Sequence, residues 1–275
     1  MNNVIIKGSS GSTVDLPYAF PTPQTLTAPR RWYSTYDPVA LKQASGKATG
    51  FLNMMRGGLN NLTQTTDANR LAVVSNVIGT TPGLQLVSTP GVCLVDTSAN
   101  QPDLWTANQA FAMSMRFAYG DSGQNFQVVM GNRRFSGGTG YSFGTFQGKL
   151  HVCLLGLNPD GSSTSMDALG TYVMTPGQIY NAHASIDGSG NRSGISLWIG
   201  AEGSASDSDA VSGGHYSASL GSAVPSAPDC RFAIGLTNSN GGDPSTSVLL
   251  DAVVNGAAYI SGERAMIDGI FNTTR

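Results

Sequence analysis

The sequence predicts an all-β protein, an antiparallel two-sheet sandwich preceded by an extended arm and closed by a short helix. Among its 275 residues are 35 glycines, while only 12% are charged; this composition suits a turn-rich β-protein and disfavours long solvated helices. Apolar and polar residues alternate along short runs, and clusters of Gly, Asp, Asn and Pro separate these runs. One sandwich rather than two domains is expected for this length.

Residues 1–30 are predicted to form the arm and residues 31–275 the sandwich. A Gly/Ser run at 8–12 and four prolines at 17, 21, 23 and 29 bury little apolar surface on their own. The arm is therefore expected to dock on a neighbouring protein; the alternative is that it packs along its own sandwich. Its candidate attachment residues are Val4, Ile6, Leu16, Pro17, Tyr18 and Phe20.

The run 111–117 shows the period of a strand most clearly. It places four large apolar side chains on one face and Ala, Ser and Arg on the other, which predicts a half-buried strand. Similar runs predict further strands at 126–130, 141–146, 150–155, 172–174, 179–186, 195–199, 232–234 and 248–254. Turn clusters at 120–123, 158–161 and 187–191 separate them, as in an antiparallel sandwich or barrel.

The last predicted element is a helix at 261–271. Apolar residues at 266, 267, 270 and 271 have helical spacing, Ser261 is placed to cap the N-terminus, and Glu263 lies in the first turn.

The later part of the chain resembles the paired and closing strands of concanavalin A-like and laminin-G-like jelly rolls. The resemblance lies in Asn181–Gly188 followed by Ile195–Gly200, and in Leu249–Val254 followed by the predicted helix. The opening resembles laminin-G-like domains of tailed-bacteriophage particle proteins, through Trp32-Tyr33, Asp37-Pro38, Leu41, 57–66, Asn69-Arg70 and 83–86. The resemblance covers residues 30 to 275. It departs from the family at 51–57, where acidic groups that could hold a cation are missing.

This resemblance implies a non-catalytic virion accessory protein, such as a head fibre or spike, a decoration protein or a tail-fibre module, made in the bacterial host cytoplasm. The arm would bind other virion proteins, and a homo-oligomer, a trimer by the habit of fibres and spikes, is expected. The alternative is a receptor-binding protein that binds a host surface glycan, and a glycanase is the third hypothesis.

Catalysis is not expected, because the fold's glucanases need two carboxylates across a cleft. The chain has only two glutamates, Glu202 and Glu263, and neither has an Asp two residues further on. Gly120–Gly123 is similar to a protease nucleophile segment but is better interpreted as a turn, because all three histidines follow it.

A sugar site needs an exposed aromatic ring beside amide, carboxylate or guanidinium groups. The candidates are Trp105, Asn108, Arg133, Arg134, Tyr141, His215 and Tyr216. The alternative is that Trp105 anchors a strand and the arginines pair with surface acids. The segment 202–228, which contains His215 and Tyr216, is predicted to be a binding loop or a subunit contact, because long loops in compact domains are commonly functional.

Several other partners are not expected. A net charge of −2 indicates no basic surface for nucleic acid, so a nucleic-acid partner is not predicted. No window reaches 18 consecutive apolar residues, so a membrane is not predicted either. The three cysteines are interpreted as buried, and His151 and His183 as hydrogen-bonded strand residues. No cofactor is predicted; Ca²⁺ is conceivable at Asp207, Asp209, Asp243 or Asp251, but no loop is dense enough in carboxylates to indicate it.

Overall fold

The computed structural model describes residues 4–7, 13–16, 25–55, 60–87, 89, 91–98, 109–120, 126–132, 140–223, 231–235 and 247–273. Over these residues the chain forms two antiparallel sheets, a separate two-stranded hairpin and one α-helix. This confirms the predicted all-β sandwich.

One sheet has eight strands. In spatial order they are β17 (Asp207–Asp209), β16 (Ile195–Ala201), β15 (Ile179–Ile186), β10 (Phe111–Ala118), β19 (Val248–Asn255), β8 (Thr81–Gln85) and β7 (Val73–Ile78), with β3 (Pro29–Ser34) also pairing with β19.

The other sheet has nine strands. In spatial order they are β14 (Ser163–Leu169), β13 (Lys149–Leu157), β12 (Gly140–Phe146), β11 (Gln127–Gly131), β18 (Ala233–Gly235), β9 (Cys93–Asp96), β6 (Leu62–Thr63), β5 (Lys47–Phe51) and β4 (Leu41–Ala44).

The core lies between the two sheets, where the apolar faces of their strands meet. Met113 and Phe117 of β10 are fully buried in the same cluster as Phe143 and Val152 of the opposite sheet. Burying a side chain of this size contributes roughly 1.5–3 kcal/mol. The alternation that the sequence shows therefore specifies which face of each strand points inward.

The outer face of β10 is also buried, which corrects the prediction of a half-buried strand. Ser114 and Arg116 are 0% and 1% exposed. The reason is helix α1 (Glu263–Thr273), which packs on this face of the eight-stranded sheet, where Phe271 shares a second apolar cluster with Val253 of β19. The helix itself was predicted; the surface that it covers was not.

One predicted strand is not a strand in the structure. Residues 172–174 are part of the connection between β14 and β15, and Tyr172 and Val173 are 45% and 63% exposed. Within the predicted arm, β1 (Val4–Lys7) and β2 (Thr13–Leu16) pair as an antiparallel hairpin, and this hairpin belongs to neither sheet of the sandwich.

The segment that follows β17 lies along the outer edge of β14. Ser212 N–H donates to the Leu169 carbonyl at 2.7 Å and Ser217 N–H donates to the Ser165 carbonyl at 3.2 Å. An edge strand exposes unpaired backbone groups, and a covering segment satisfies some of them. This part of the predicted loop 202–228 is therefore fastened to the sandwich.

Candidate functional site

The sequence candidates for sugar binding fall into three groups. Trp105, Asn108, Arg133 and Arg134 lie outside the described residues. Tyr141 lies in the core, and His215 and Tyr216 lie on the surface.

Tyr141 is fully buried, and its ring centroid lies 4.8 Å from that of Phe111 across the core. Its position in the period-two pattern of β12 places its side chain on the inner face of the sheet. It cannot offer a ring to a ligand in solvent, which corrects its assignment as a binding residue.

His215 and Tyr216 form an exposed pair beside the edge of β14. Tyr216 is 39% exposed, and the two rings meet edge to face with centroids 5.2 Å apart. We call residues 213–217 the His215–Tyr216 loop. It offers an aromatic ring and an imidazole to the surroundings of the protein.

The buried carboxylate of Asp167 fixes the backbone of this loop. His215 N–H donates to Asp167 Oδ2 at 2.7 Å, and Tyr216 N–H donates to Oδ1 at 3.2 Å. Asp167 lies in the middle of β14 with 0% exposure. The rigid strand therefore determines the position of both exposed side chains.

Two further side chains support Asp167. His151 Nε2 lies 3.0 Å from Asp167 Oδ2, and Arg192 Nη2 lies 3.1 Å from Oδ1. Burial pushes the pKa of Asp167 upward, but hydrogen bonds from His151 and from the His215 and Tyr216 amides outweigh burial and hold that pKa at about 2. Asp167 therefore carries its negative charge throughout the neutral range.

Arg192 connects the carboxylate to the loop a second time. Its Nη2 donates to the Tyr216 carbonyl at 2.9 Å and to the Ser217 carbonyl at 3.0 Å. Its Nε donates to the Asp167 carbonyl at 2.5 Å. The loop is therefore held by its amides and by its carbonyls.

Glycine at 214 is required for this arrangement. A Cβ at Gly214 would lie 2.1 Å from Asp167 Oδ2, so any larger residue would displace the carboxylate from the loop. The Gly-Gly pair before His215 was visible in the sequence, but its contact with Asp167, 47 residues earlier in the chain, was not.

The strand register also places Gly140 near this loop. Gly140 pairs with Leu155, which pairs with Ser165 next to the loop. Two strand spacings separate Gly140 from Ser165, or about 10 Å.

A buried chain of hydrogen bonds under helix α1 was missed in the sequence. Ser114 Oγ lies 2.7 Å from His183 Nδ1, and His183 Nε2 lies 2.8 Å from Asp268 Oδ1. Tyr259 Oη lies 2.5 Å from Ser114 Oγ. The order Ser, His, Asp is that of a catalytic triad.

This chain fastens the helix rather than exposing a nucleophile. Ser114 and His183 are 0% exposed and Asp268 is 3% exposed, so Ser114 Oγ cannot reach a substrate in this structure. Burial lowers the pKa of His183, although the hydrogen bond to Asp268 and the charge of Asp268 oppose this. The interpretation of His151 and His183 as hydrogen-bonded strand residues is confirmed.

Both glutamates make contacts within the fold. Glu202 Oε1 accepts from Arg116 Nη2 at 2.9 Å. Glu263 Oε2 accepts from the Ile260 amide at 2.9 Å, and its Oε1 accepts from Thr27 Oγ1 at 2.7 Å. The two glutamates therefore bind different partners on different elements of the fold.

The aspartates considered for Ca²⁺ are dispersed. Asp209 accepts from the Thr171 and Tyr172 amides at 2.8 and 2.9 Å, and Asp251 lies 4.0 Å from Arg116. Asp207 lies in β17, and Asp243 lies outside the described residues. Within the described ranges, no group of three or more His, Cys, Asp or Glu side chains could hold a metal ion.

Cys93 and Cys153 are buried, as predicted, whereas Cys230 lies outside the described residues. Across the part of the chain that the structure covers, no helix has the length and apolar character to cross a membrane. Of the arm residues, Val4, Ile6 and Leu16 belong to the hairpin, and Pro17, Tyr18 and Phe20 lie outside the described residues.

No protein-family model matches the chain, and no curated protein sequence matches it. Several solved structures do match the chain. The binding domain of Paraclostridial Mosquitocidal Protein 1 is 12% identical with a TM-score of 0.58, over 90% of this chain and 52% of that one. The botulinum neurotoxin serotype D binding domain is 9% identical with a TM-score of 0.52, over 89% and 50%.

An enzyme shares the architecture too. Trypanosoma rangeli sialidase is 13% identical with a TM-score of 0.51, over 93% of this chain and 34% of the sialidase. The chain spans about half the length of the two toxin domains. At these identities the comparisons establish a shared β-sandwich fold.

Proposed function

We propose that this chain is a non-catalytic binding module that recognises a glycan through its His215–Tyr216 loop. The observation that carries the proposal is an exposed aromatic ring whose backbone is fixed by a buried carboxylate. An exposed tyrosine can stack on the apolar face of a sugar ring. Because the loop is already ordered, binding loses little conformational entropy, which favours affinity.

The structural neighbours support a binding role. The mosquitocidal-protein and neurotoxin structures are binding domains, and this chain has the same fold over nine-tenths of its length.

The contacts of the two glutamates support the absence of glycanase chemistry, because Glu202 pairs with Arg116 while Glu263 holds residues that flank the helix. A retaining glycosidase needs two carboxylates about 5 to 5.5 Å apart across a cleft.

The test is a glycan array with wild type, Tyr216→Ala and Tyr172→Ala. Tyr172 is a matched control because it is similarly exposed, at 45% against 39%, and lies in the connection after β14 rather than in the His215–Tyr216 loop. We expect wild type and Tyr172→Ala to bind the same glycans and Tyr216→Ala to lose about five- to thirty-fold in affinity, given that an aromatic–sugar contact contributes about 1–2 kcal/mol. Equal binding by all three proteins would contradict this site.

We further propose that the module is a tailed-phage virion accessory protein attached through residues 1–30. The sequence resemblance motivates this proposal, and the hairpin of β1 and β2 supports it, because this hairpin pairs with neither sheet of the sandwich. In this arrangement the arm binds other virion proteins and the sandwich faces the host.

Full-length and arm-deleted chains distinguish these roles. We expect both to bind host cells, and only the full-length chain to co-sediment with particles of the phage that encodes it. Loss of cell binding on deletion of the arm would place recognition outside the sandwich. Co-sedimentation of the arm-deleted chain would contradict attachment through residues 1–30.

A further inference from the structure

Among the described residues, Asp167 is the only carboxylate that contacts the His215–Tyr216 loop. All of its hydrogen-bond acceptor positions are occupied. Asp167 Oδ1 accepts from Arg192 Nη2 and the Tyr216 amide, and Oδ2 accepts from His151 Nε2 and the His215 amide. Two carboxylate oxygens offer about four lone-pair positions in total. Asp167 therefore has no remaining acceptor for a sugar hydroxyl.

Hydrogen-bond donors, in contrast, remain available at Arg192. Arg192 uses Nε and Nη2 for Asp167 and the carbonyls of Tyr216 and Ser217, whereas its Nη1 has no hydrogen-bond partner among the described residues. Nη1 lies beside Gly213, where an added Cβ would be 3.3 Å away, and the Arg192 side chain is 20% exposed. Two N–H groups of a permanent cation are therefore available next to the loop.

A guanidinium makes its stronger hydrogen bonds to anionic oxygens such as those of a carboxylate. At this site Arg192 Nη1 remains as a cationic donor, whereas Asp167 has no acceptor left for a ligand hydroxyl. We infer that the ligand of this site is an anionic saccharide, whose carboxylate or sulfate accepts hydrogen bonds from Arg192 Nη1 while a sugar ring stacks on Tyr216. The inference rests on the proposed glycan binding and specifies the class of glycan.

The experiment uses an array that contains neutral, carboxylated and sulfated glycans, read at low and high salt. We expect the bound glycans to carry a carboxylate or a sulfate, and the array itself distinguishes these two sources of the anion. Reduction of the carboxylate of the best ligand to an alcohol should weaken binding at least tenfold, the effect of losing a charged hydrogen bond. Binding should also weaken at high salt, which screens charge.

Gly213→Ala tests the role of Nη1 without removing the bonds between Arg192 and Asp167. Its methyl group would press against Nη1, and we expect several-fold weaker binding of the anionic glycan with an unchanged melting temperature. Gly269→Ala, at an exposed helix position with no atom within 4 Å of the added Cβ, is the matched control and should bind as wild type does.

The outcomes separate the two proposals. If neutral glycans bind as tightly as anionic ones and Tyr216→Ala abolishes binding, the sugar site stands and the anionic preference is wrong. Unchanged affinity in Gly213→Ala would overturn the assignment to Nη1. If no glycan binds, both proposals fail.

Discussion

Buried ionisable residues in this sandwich are held by partners that lie far away in the sequence. Asp167 is bound by His151 and Arg192, His183 contacts Asp268, and each of these contacts joins different elements. A buried charge without such a partner would cost several kcal/mol. The sequence places His151, His183 and Asp268 in predicted strands and in the predicted helix, but it indicates no element for Asp167 or Arg192, and the partners become visible only after folding.

His183→Gln is expected to reduce the loss of stability in mild acid. The pKa of His183 is lowered by burial, so below its ordinary value of 6.5 the unfolded chain binds a proton that the folded chain resists. Stability conferred by the neutral imidazole is therefore complete above pH 6.5 and decreases as the pH falls. The slope for one proton is at most about 1.4 kcal/mol per pH unit.

The measurement is the free energy of unfolding by denaturant between about pH 7.5 and 5. Burial raises the pKa of Asp251 to about 6, and this gives the opposite slope. Since Asp251 is present in both proteins, its effect cancels in the difference between wild type and variant. Parallel curves for the two proteins would show that His183 does not contribute.

Eight of the strands from β10 onward were predictable because their period is local, whereas the period did not indicate β3 to β9, β14 or β17. The strands predicted at 179–186 and 248–254 were found as Ile179–Ile186 and Val248–Asn255, and the predicted helix is α1. The strand predicted at 172–174 was wrong because three residues are too few to show a period, and this segment instead crosses from one sheet to the other.

Glycine substitutions test these elements. In Gly144, an added Cβ would lie 1.8 Å from the Gln127 carbonyl oxygen, so Gly144→Ala must separate β12 from β11 and should destabilise by more than about 2 kcal/mol. Gly269 is exposed in α1 with open space around it, so Gly269→Ala should stabilise by about 0.5–1 kcal/mol. Denaturant unfolding of both variants measures this, and a destabilised Gly269→Ala would contradict the position of the helix.

The two sheets of the whole molecule are also joined by a buried ion pair. Arg31 of β3 lies 2.8 Å from Asp96 of β9, and both side chains are 0% exposed. Its guanidinium also lies 4.5 Å from the centre of the Phe232 ring. The pair links the sheets at the end of the sandwich where β9 finishes.

Arg31→Met should destabilise the fold by about 3–5 kcal/mol, because it leaves Asp96 buried without its cation. Lys47→Met is the control: Lys47 also lies 2.8 Å from a carboxylate, that of Asp67, but these side chains are 38% and 62% exposed. Its loss should be below about 1 kcal/mol. Equal effects in a denaturant titration would show that burial of the Arg31 pair has no energetic consequence.

The sequence by itself determined the fold class, the positions of the strands from β10 onward apart from β14 and β17, the terminal helix, and His215 and Tyr216 as binding candidates. These depend on local periodicity and on residue chemistry, both of which are encoded within a few neighbouring positions. The tertiary structure decided that Tyr141 is buried, that α1 covers β10, and that Asp167 and Arg192 hold the His215–Tyr216 loop. These facts depend on contacts between distant segments, which strand register and sheet packing create and which no local pattern records.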